Sequence, residues 1–285
     1  MKRKGMIVFL TVILLLATFT ACSGSGGTSY TAAPMMIHSP VATSEFGIAV
    51  FRGNETLRDQ IWAALQVLSA NGTVSQIARR WFGEDTNIIP PDPYATRALE
   101  EVRERTLIIG FDATNAPMSF FDQRGILVGF DIDLAQVVCD YFGWELELLP
   151  IEWADREVEL ASANIDALWG GVNLTEGLRD RLYYIGPYME SGQVVVTMSD
   201  RRIQNLRGTR RRDLAFRPGT AGELALIENT GFANGLREAI PVETISDALR
   251  ALQDGEVDAV IMDRWAADYF IRQGDVAAFG DRLSE

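Results

Sequence analysis

The residues that could bind or transform a small molecule lie where apolar, strand-like runs end. Asp112 follows TLIIGF, Asp263 follows VDAVIM, Gly170 and Gly171 follow IDALW, and Gly219 follows LAFRP. A carboxylate at such a position accepts hydrogen bonds from a cationic group or acts as a general acid. Glycine lets a ligand approach the backbone closely. These strand ends are therefore the candidate functional site.

Other kinds of site are excluded by residue type and charge. His38 is the only histidine and lies in a segment rich in Ser, Gly, Thr, Ala and Pro, so a histidine-dependent triad or zinc site is not expected in the folded part. Cys139, in DLAQVVCDYF, is expected to be a core residue. The formal net charge of −13 argues against nucleic acid as a partner, since phosphates need a basic surface. We expect neither a cofactor nor a metal.

Strand-like and helical patterns alternate from residue 106 onward. TLIIGFDA, ELELLPIEW, IDALWGG, QVVVTM and VDAVIMD read as strands, and helical patterns such as FDIDLAQVVCDYFG lie between them. Repeated βαβ units predict an α/β fold with largely parallel sheets. Ligand sites of such sheets lie at the carboxyl ends of the strands, where the candidate residues stand.

Residues 1–22 have the pattern of an export signal. MKRKG carries three positive charges, and the apolar run after it ends in FTAC at Cys22. The pattern resembles a bacterial lipoprotein signal, in which the cysteine is lipidated and becomes the first residue, although Phe19 stands where leucine is usual. We predict a lipoprotein anchored to the outer face of the cytoplasmic membrane. The alternative is an uncleaved membrane anchor, which also places the rest of the chain outside the cytoplasm.

Three segments precede the alternating region. Residues 23–44 are predicted to be a flexible tether because Ser, Gly, Thr, Ala and Pro dominate them. Residues 45–83 contain a strand-like run and two amphipathic helical patterns, which must pack on later residues because they cannot form a domain alone. Residues 84–104 are a connector interrupted by prolines. The apolar face of the first helix consists of Leu57, Ile61, Leu65 and Leu68.

Five stretches between residues 106 and 273 resemble, in order, segments of the amino-acid-binding extracellular solute-binding proteins of ABC importers. They are DATNAPMSFFDQRGILVGFDIDLAQVV, IEWADREVELASANIDALWGG, GPYMESGQVVV, RPGTAGE and GEVDAVIMDRWAADY. The resemblance implies a two-lobe, periplasmic-binding-protein-like α/β fold of type II, with a ligand cleft between the lobes. It also implies that the lobes close over the ligand without bond chemistry.

The order of the segments departs from that family. A family chain ends in a strand and helices that close in WFG, and this ending resembles residues 45–83, FGIAVFRGN to WFG. The ending thus precedes the beginning, which predicts a natural circular permutant with residues 84–104 joining the usual termini. Permutation is tolerated where the old termini are close and exposed. The rival interpretation is a fragment in which residues 45–83 are the tail of a lost domain.

The permutation predicts how the chain divides between the lobes. Lobe I is expected from residues 45–83 and 105–190, and lobe II from residues 191–285. Only one covalent crossing between the lobes is then expected, at residues 186–193, and with it a softer hinge. A monomer is expected, with a dimer that exchanges the N-terminal segment as the alternative.

The resemblance implies ten ligand-binding residues. They are Asp112, Met118, Trp153, Gly170, Gly171, Asn173, Thr175, Arg179, Thr220 and Asp263. Asp263 matches the family acid that takes an α-ammonium group, and Trp153 matches a wall position for the ligand side chain. Thr220 matches the turn whose N–H groups meet the carboxylate. Two alternatives stay open, namely a helix-capping role for Asp263 and a core role for Met118.

The carboxylate clamp departs from the family pattern. In the family an arginine stands three residues after a threonine, but here Leu178 stands three residues after Thr175, and Arg179 follows. On a helix one residue is a turn of about 100°, which would direct the side chain elsewhere. Either the local backbone lets Arg179 reach the ligand or the clamp is absent.

The function predicted from the resemblance is capture of a small polar ligand, an amino acid, and its delivery to an ABC permease. One alternative is a ligand-sensing module, and another is a degenerate binding protein that acts through protein contacts. A third is a dehydratase of cyclic prephenate-like acids, with Asp112 as the general acid. The absence of a folded histidine and of the usual clamp disfavours the dehydratase, so we expect a protein that is not an enzyme.

Overall fold

Strands and helices alternate along the chain in the computed structural model, which describes residues 32–99, 102–173 and 182–273. The strands are β1 (Pro34–Phe51), β2 (Thr106–Phe111), β3 (Thr114–Asn115), β4 (Ser119–Phe121), β5 (Leu127–Val128), β6 (Glu145–Pro150), β7 (Ala167–Asn173), β8 (Leu182–Met198), β9 (Asp213–Phe216), β10 (Glu238–Pro241) and β11 (Ala259–Asp263). The helices are α1 (Glu55–Ala70), α2 (Thr73–Phe82), α3 (Phe130–Phe142), α4 (Arg156–Ala161), α5 (Ala221–Glu228), α6 (Thr230–Ala233), α7 (Ile245–Asp254) and α8 (Arg264–Gln273). Short 3₁₀ turns occupy Ala95–Ala98, Trp153–Asp155, Ser199–Arg201 and Leu206–Thr209.

Within these ranges, eight strands form one large sheet in the order β10-β9-β11-β8-β1-β7-β2-β6. At one end β2 pairs in parallel with β6 and β7, and we call this end lobe I. At the other end β9 pairs in parallel with β10 and β11, and we call this end lobe II. The strands β3, β4 and β5 form a small antiparallel sheet. The parallel ends follow from the βαβ units that the sequence predicts.

The long antiparallel strands β1 and β8 belong to both lobes. In lobe I, residues 46–51 of β1 pair with residues 182–189 of β8. In lobe II, residues 34–37 of β1 pair with residues 195–198 of β8. The strand β7 adds to β1 in lobe I, and β11 adds to β8 in lobe II. Two covalent connections therefore run between the lobes, and the expectation of a single crossing is wrong.

The strand β1 begins inside the segment predicted to be a flexible tether. Residues 34–44 are part of the sheet, because the side chains of Met36 and Ile37 are buried in lobe II and their backbone pairs with β8. Small and polar residues dominate residues 23–44 as a whole, so their composition resembles a linker even though the segment contains the apolar stretch PMMI. The free energy of burying Met36 and Ile37 orders a segment whose composition resembles a linker.

The early helices complete the core of lobe I. The predicted apolar face of α1 is confirmed, since Leu57, Ile61 and Leu65 are fully buried and Leu68 is nearly so. These side chains share one cluster with residues of β1, α2, β2, α3 and β7. Full burial of a leucine or isoleucine side chain contributes about 1.5–3 kcal/mol. The segment at residues 45–83 and the later residues of lobe I therefore depend on each other for stability.

Helix α3 begins where two segments of lobe I touch. At Gly129 the φ angle is +155°, and a Cβ atom would lie 2.0 Å from the carbonyl oxygen of Met118. That oxygen accepts a hydrogen bond from the backbone N–H of Asp131 at 3.0 Å. Only glycine fits this approach. The contact holds the first turn of α3, with Asp131, against Met118, which lies between β3 and β4.

Candidate functional site

A cavity of about 260 Å³ lies between the lobes, beside the two long strands. Its lining combines carboxylate, guanidinium and aromatic side chains, among them Phe46, Asp112, Trp153, Arg156, Arg217 and Asp263. The carboxyl ends of strands from both lobes meet here, where ligands of α/β sheets bind. In the part of the chain that the structure describes, no group of three or more His, Cys, Asp or Glu side chains is placed to hold a metal ion.

An ion pair spans the cavity from one lobe to the other. Asp112 follows β2 in lobe I, and one of its oxygens accepts a hydrogen bond from Nη1 of Arg217, which follows β9 in lobe II. The other oxygen accepts hydrogen bonds from the backbone N–H and the hydroxyl of Thr114, at 2.9 and 2.7 Å. The side chains of Asp112 and Arg217 are only 6% and 13% exposed. Both oxygens of Asp112 therefore have donors before any ligand is bound.

Asp263 presents a second carboxylate from the end of β11. Its Oδ2 accepts hydrogen bonds from the hydroxyl of Ser191 at 2.7 Å and from Nε2 of Gln193 at 3.4 Å. Its Oδ1 accepts from the backbone N–H of Trp265 at 2.9 Å, so the residue also caps α8. Burial raises the pKa of Asp263 to about 6. A cationic group placed beside this carboxylate would favour its ionised form.

Arg156 brings a second guanidinium group to the cavity, from the start of α4. Its Nη1 donates a hydrogen bond to the carbonyl oxygen of Trp153 at 2.6 Å, and its guanidinium lies 5.0 Å from the centre of the Trp153 ring. The same nitrogen lies 3.8 Å from the position that a Cβ would take at Gly219 of lobe II. Burial lowers the pKa of Arg156, and Arg217 adds to the effect. The two arginines thus come from opposite lobes and repel each other.

A buried acid holds the wall at Gly171. The carboxylate of Asp131 accepts a hydrogen bond from the N–H of Gly171 at 2.6 Å. Burial raises the pKa of Asp131 to about 7, although the hydrogen bond from the N–H of Gly171 opposes the rise. At Gly171 the φ angle is +72°, and a Cβ would lie 2.2 Å from Nδ2 of Asn115. The backbone itself therefore forms this part of the cavity wall.

A family model for bacterial extracellular solute-binding proteins, family 3, matches residues 107–267. That range covers more than half of the chain and, apart from Phe46, contains the cavity residues of both lobes. The chain belongs to this family. Membership confirms the amino-acid-binding solute-binding resemblance and the two-lobe α/β fold that the sequence motifs predicted.

Relatives of this family 3 protein match a similar part of it. The L-cystine-binding protein TcyJ of Escherichia coli K12 is 29% identical over 175 residues, which cover 59% of this chain and 63% of TcyJ. The chain thus spans less than two thirds of that relative's length. A solved ABC uptake transporter substrate-binding protein from Streptococcus pneumoniae, with bound histidine, is 31% identical with a TM-score of 0.57, over 59% of this chain and 70% of the other. The ancestral amino-acid-binding protein AncCDT-1, a precursor of cyclohexadienyl dehydratase, is 27% identical with a TM-score of 0.55, over 59% and 74%.

The structure of this family 3 protein brings together six of the ten predicted ligand residues. They are Asp112, Trp153, Gly171, Asn173, Thr220 and Asp263, all in the cavity lining. Met118 lies in the core of lobe I, where its side chain is 2% exposed. Gly170 lies behind the wall, since a Cβ there would lie 2.9 Å from the hydroxyl of Ser119. Thr175, Arg179 and the lipidation residue Cys22 lie outside the described residues.

Neither arginine of the cavity is among the ligand residues predicted from the sequence. Arg217 comes directly after β9, so the same rule that selected Asp112 and Asp263 could have selected it. Arg156 lies three residues after Trp153 in the first turn of α4, and nothing in its spacing marked it. Residue type is the signal that could have identified both residues, because a guanidinium group is the usual partner of a ligand's carboxylate.

Proposed function

We propose that this family 3 protein binds a free amino acid between its lobes and delivers it to an ABC permease. The observation that carries the proposal is the interlobe cavity, which surrounds about 260 Å³ with the carboxylate of Asp263 and the guanidinium groups of Arg156 and Arg217. A zwitterion needs an acceptor for its ammonium group and donors for its carboxylate. The named ligands of the relatives, cystine and histidine, support the same ligand class.

Each end of the amino acid has a proposed partner. Asp263 receives the α-ammonium group, because Ser191 and Gln193 already orient its carboxylate toward the cavity. The first turn of α5, after Thr220, offers N–H groups to the α-carboxylate. Arg179 stays a predicted clamp, and Trp153 forms the wall for the ligand side chain. The lobes then close over the ligand as their two connecting strands bend.

The test is thermal unfolding of the purified chain against a panel of free amino acids. A ligand at 100 times its dissociation constant adds about 2.7 kcal/mol to the free energy of unfolding. We expect a rise in the melting temperature with at least one chemical class and no rise for Asp263→Asn, which loses the charge that pairs with the ammonium group. His38→Ala, at an exposed position of β1, is the matched control and should respond like the wild type. A cooperative melt that no amino acid shifts would overturn the proposal.

We also propose that the cavity binds without catalysis. Asp112, the general acid of the alternative dehydratase, accepts hydrogen bonds on both oxygens from Thr114 and Arg217. In each of these hydrogen bonds Asp112 is the acceptor. It therefore carries no proton that it could donate to a substrate in the cavity as a general acid. Incubation with cyclic prephenate-like acids should give no product by absorbance or mass spectrometry. Product formation that depends on Asp112 would establish an enzyme.

We propose, further, that the chain is a lipoprotein held at the membrane through Cys22. The proposal is supported by the family model, which describes extracellular proteins, and by the apolar run that ends at Cys22. Labelling with a radioactive or clickable fatty acid should mark the wild type and not Cys22→Ser. Equal labelling of the two would contradict the proposal.

The circular permutation is likewise our proposal. It is supported by the shared core of lobe I, in which side chains of β1, α1 and α2 pack against β2, α3 and β7. The family match begins only at residue 107, after those elements. We propose that the early segment packs in its own chain and that the protein is a monomer. Light scattering after gel filtration should give the mass of one chain, and a dimer would favour exchange of the segment between two copies.

A further inference from the structure

The Asp112–Arg217 pair occupies part of the space that the proposed function assigns to the ligand. Two hydrogen bonds anchor Arg217 within lobe II. Its Nε donates a hydrogen bond to the carbonyl oxygen of Glu243 at 3.0 Å, and its own carbonyl oxygen accepts one from the hydroxyl of Thr220 at 2.7 Å. The guanidinium therefore reaches Asp112 from a fixed turn and is not a mobile surface side chain.

The acids of the cavity differ in what they can offer a ligand. Asp112 is occupied by Arg217 and Thr114, and Glu157 acts electrostatically on its neighbour Arg156. Asp263 is held by hydroxyl, amide and backbone N–H donors. Arg264 acts on it electrostatically, but the ion pairs that Arg264 forms within the described residues are with Glu84 and Asp268. One acid thus remains for one cationic group, and an α-amino acid already carries that group as its ammonium.

A second positive charge on the ligand would meet two obstacles. It would have to displace Arg217 from Asp112, which leaves a guanidinium buried without its partner, and removing one partner of a buried pair is strongly unfavourable. It would also be repelled by Arg156 and Arg217, which approach each other from the two lobes. An uncharged side chain meets neither obstacle and can pack on Trp153 and Phe46.

We infer that Arg217 is a specificity-determining residue, which by occupying Asp112 excludes amino acids with a cationic side chain and leaves a cavity for those with an uncharged side chain. The inference rests on the proposed function, since it concerns which amino acid the same cavity takes. Specificity would then come from two unfavourable effects as well as from attractive contacts. Cationic side chains are repelled by the arginines, and the carboxylate that could bind them, Asp112, is already paired with Arg217.

Isosteric ligand pairs test the inference without altering the protein. We would titrate the full-length chain by calorimetry with L-citrulline and L-arginine, and with L-2-aminoheptanoic acid and L-lysine, beside the standard amino acids. Within each pair the shape is nearly the same and only the charge differs. We expect the uncharged member of a pair to bind at least about tenfold more tightly, which corresponds to about 1.4 kcal/mol.

Variants assign the discrimination to Arg217. Arg217→Gln frees Asp112 and should raise the affinity for the cationic member of a pair by at least about tenfold relative to the uncharged member. In the double variant Asp112→Asn with Arg217→Gln the freed carboxylate is absent, so that gain should disappear. Arg210→Gln removes the same charge from an exposed position of lobe II and should keep the wild-type preference.

The outcomes separate the two proposals. If the wild type binds uncharged amino acids but binds arginine or lysine as tightly as their isosteres, the inference is overturned and the proposed function stands. An unchanged preference in Arg217→Gln, with the fold verified by circular dichroism, overturns the inference in the same way. If no amino acid binds the wild type at all, the proposed function is overturned and the inference with it.

Discussion

At the residue scale, two carboxyl groups with raised pKa values lie at the cavity and behind its wall. Asp263 faces the ligand space, whereas Asp131 lies behind the wall and holds the N–H of Gly171. Burial raises the pKa of both, to about 6 and about 7. Only Asp263 is positioned to gain a cationic partner from a ligand. Asp131 instead makes the stability of the wall depend on pH.

Replacing Asp131 should change how stability depends on pH. Its folded pKa of about 7 lies above the ordinary value of 3.8, so between these values the folded state binds more proton than the unfolded state. The contribution of protonated Asp131 to the free energy of unfolding is therefore full below the ordinary pKa and is lost as the pH rises to about 7. Over this range the free energy of unfolding falls by up to about 1.4 kcal/mol per pH unit. Asp131→Asn should flatten this part of the profile, measured by denaturant unfolding from pH 4.5 to 8.

The control for this prediction is Asp200→Asn, which removes an exposed carboxylate from the surface. It should keep the wild-type profile. Asp263 contributes in the same direction, so Asp131→Asn is expected to reduce the slope without abolishing it. A profile of Asp131→Asn that coincides with that of the wild type would show that the group does not titrate in the folded state.

At the element scale, β1 decides how the lobes are joined. The strand carries Ile48 and Val50 into the core of lobe I and Met36 and Ile37 into the core of lobe II. Its partner β8 runs the same distance in the opposite direction. Two paired strands between the lobes resist twisting more than one would, so the hinge motion is expected to be a bend of both strands together.

Truncation of Ile37 tests the lobe II part of β1. The side chain is 4% exposed and packs with Val195, Leu214 and Ile261. Ile37→Ala should lower the free energy of unfolding by about 2–5 kcal/mol, because it leaves a cavity in the core. Urea denaturation measures the change. The neighbouring exposed residue gives the control, since His38→Ala should stay within about 0.5 kcal/mol of the wild type.

Equal midpoints for Ile37→Ala and His38→Ala would show that residues 34–37 do not belong to the sheet. Residues 34–37 would then belong to the flexible tether that the sequence predicts, and the lobes would be joined by β8 alone. A loss confined to Ile37→Ala supports the strand that the structure describes.

At the scale of the whole molecule, the core of lobe I combines segments far apart in the chain. Phe82 of α2 packs against Phe130 of α3 and Trp265 of α8, with ring centres 4.9 Å apart in both pairs. The contacts depend on position in space and not on the order of the segments, and this independence of chain order is what makes a permutation tolerable.

Reordering the chain tests the proposed permutation. A chain with residues 84–285 first and residues 32–83 last, joined by a flexible glycine-serine linker, should fold cooperatively and keep the ligand preference of the natural order. The same contacts are available, and a flexible connection changes the loop-closure entropy only slowly with its length. Melting temperature and ligand titration are the measurements.

The control is a chain that lacks residues 32–83. It loses β1, α1 and α2 from the core of lobe I and should not unfold cooperatively. If the reordered chain behaves like this deletion, the early segment requires its position at the start of the chain, and the permutation proposal fails.

The sequence alone determined the α/β class, the apolar face of α1 and the acids at the strand ends. These features are local, because hydrophobic periodicity and the last residue of a strand can be recognised within a few residues. The tertiary structure decided which groups meet. Asp112 and Arg217 are 105 residues apart, and Met36 of the first strand pairs with Val196 of β8. Such contacts depend on how the lobes pack across a cleft, and no short-range pattern records that geometry.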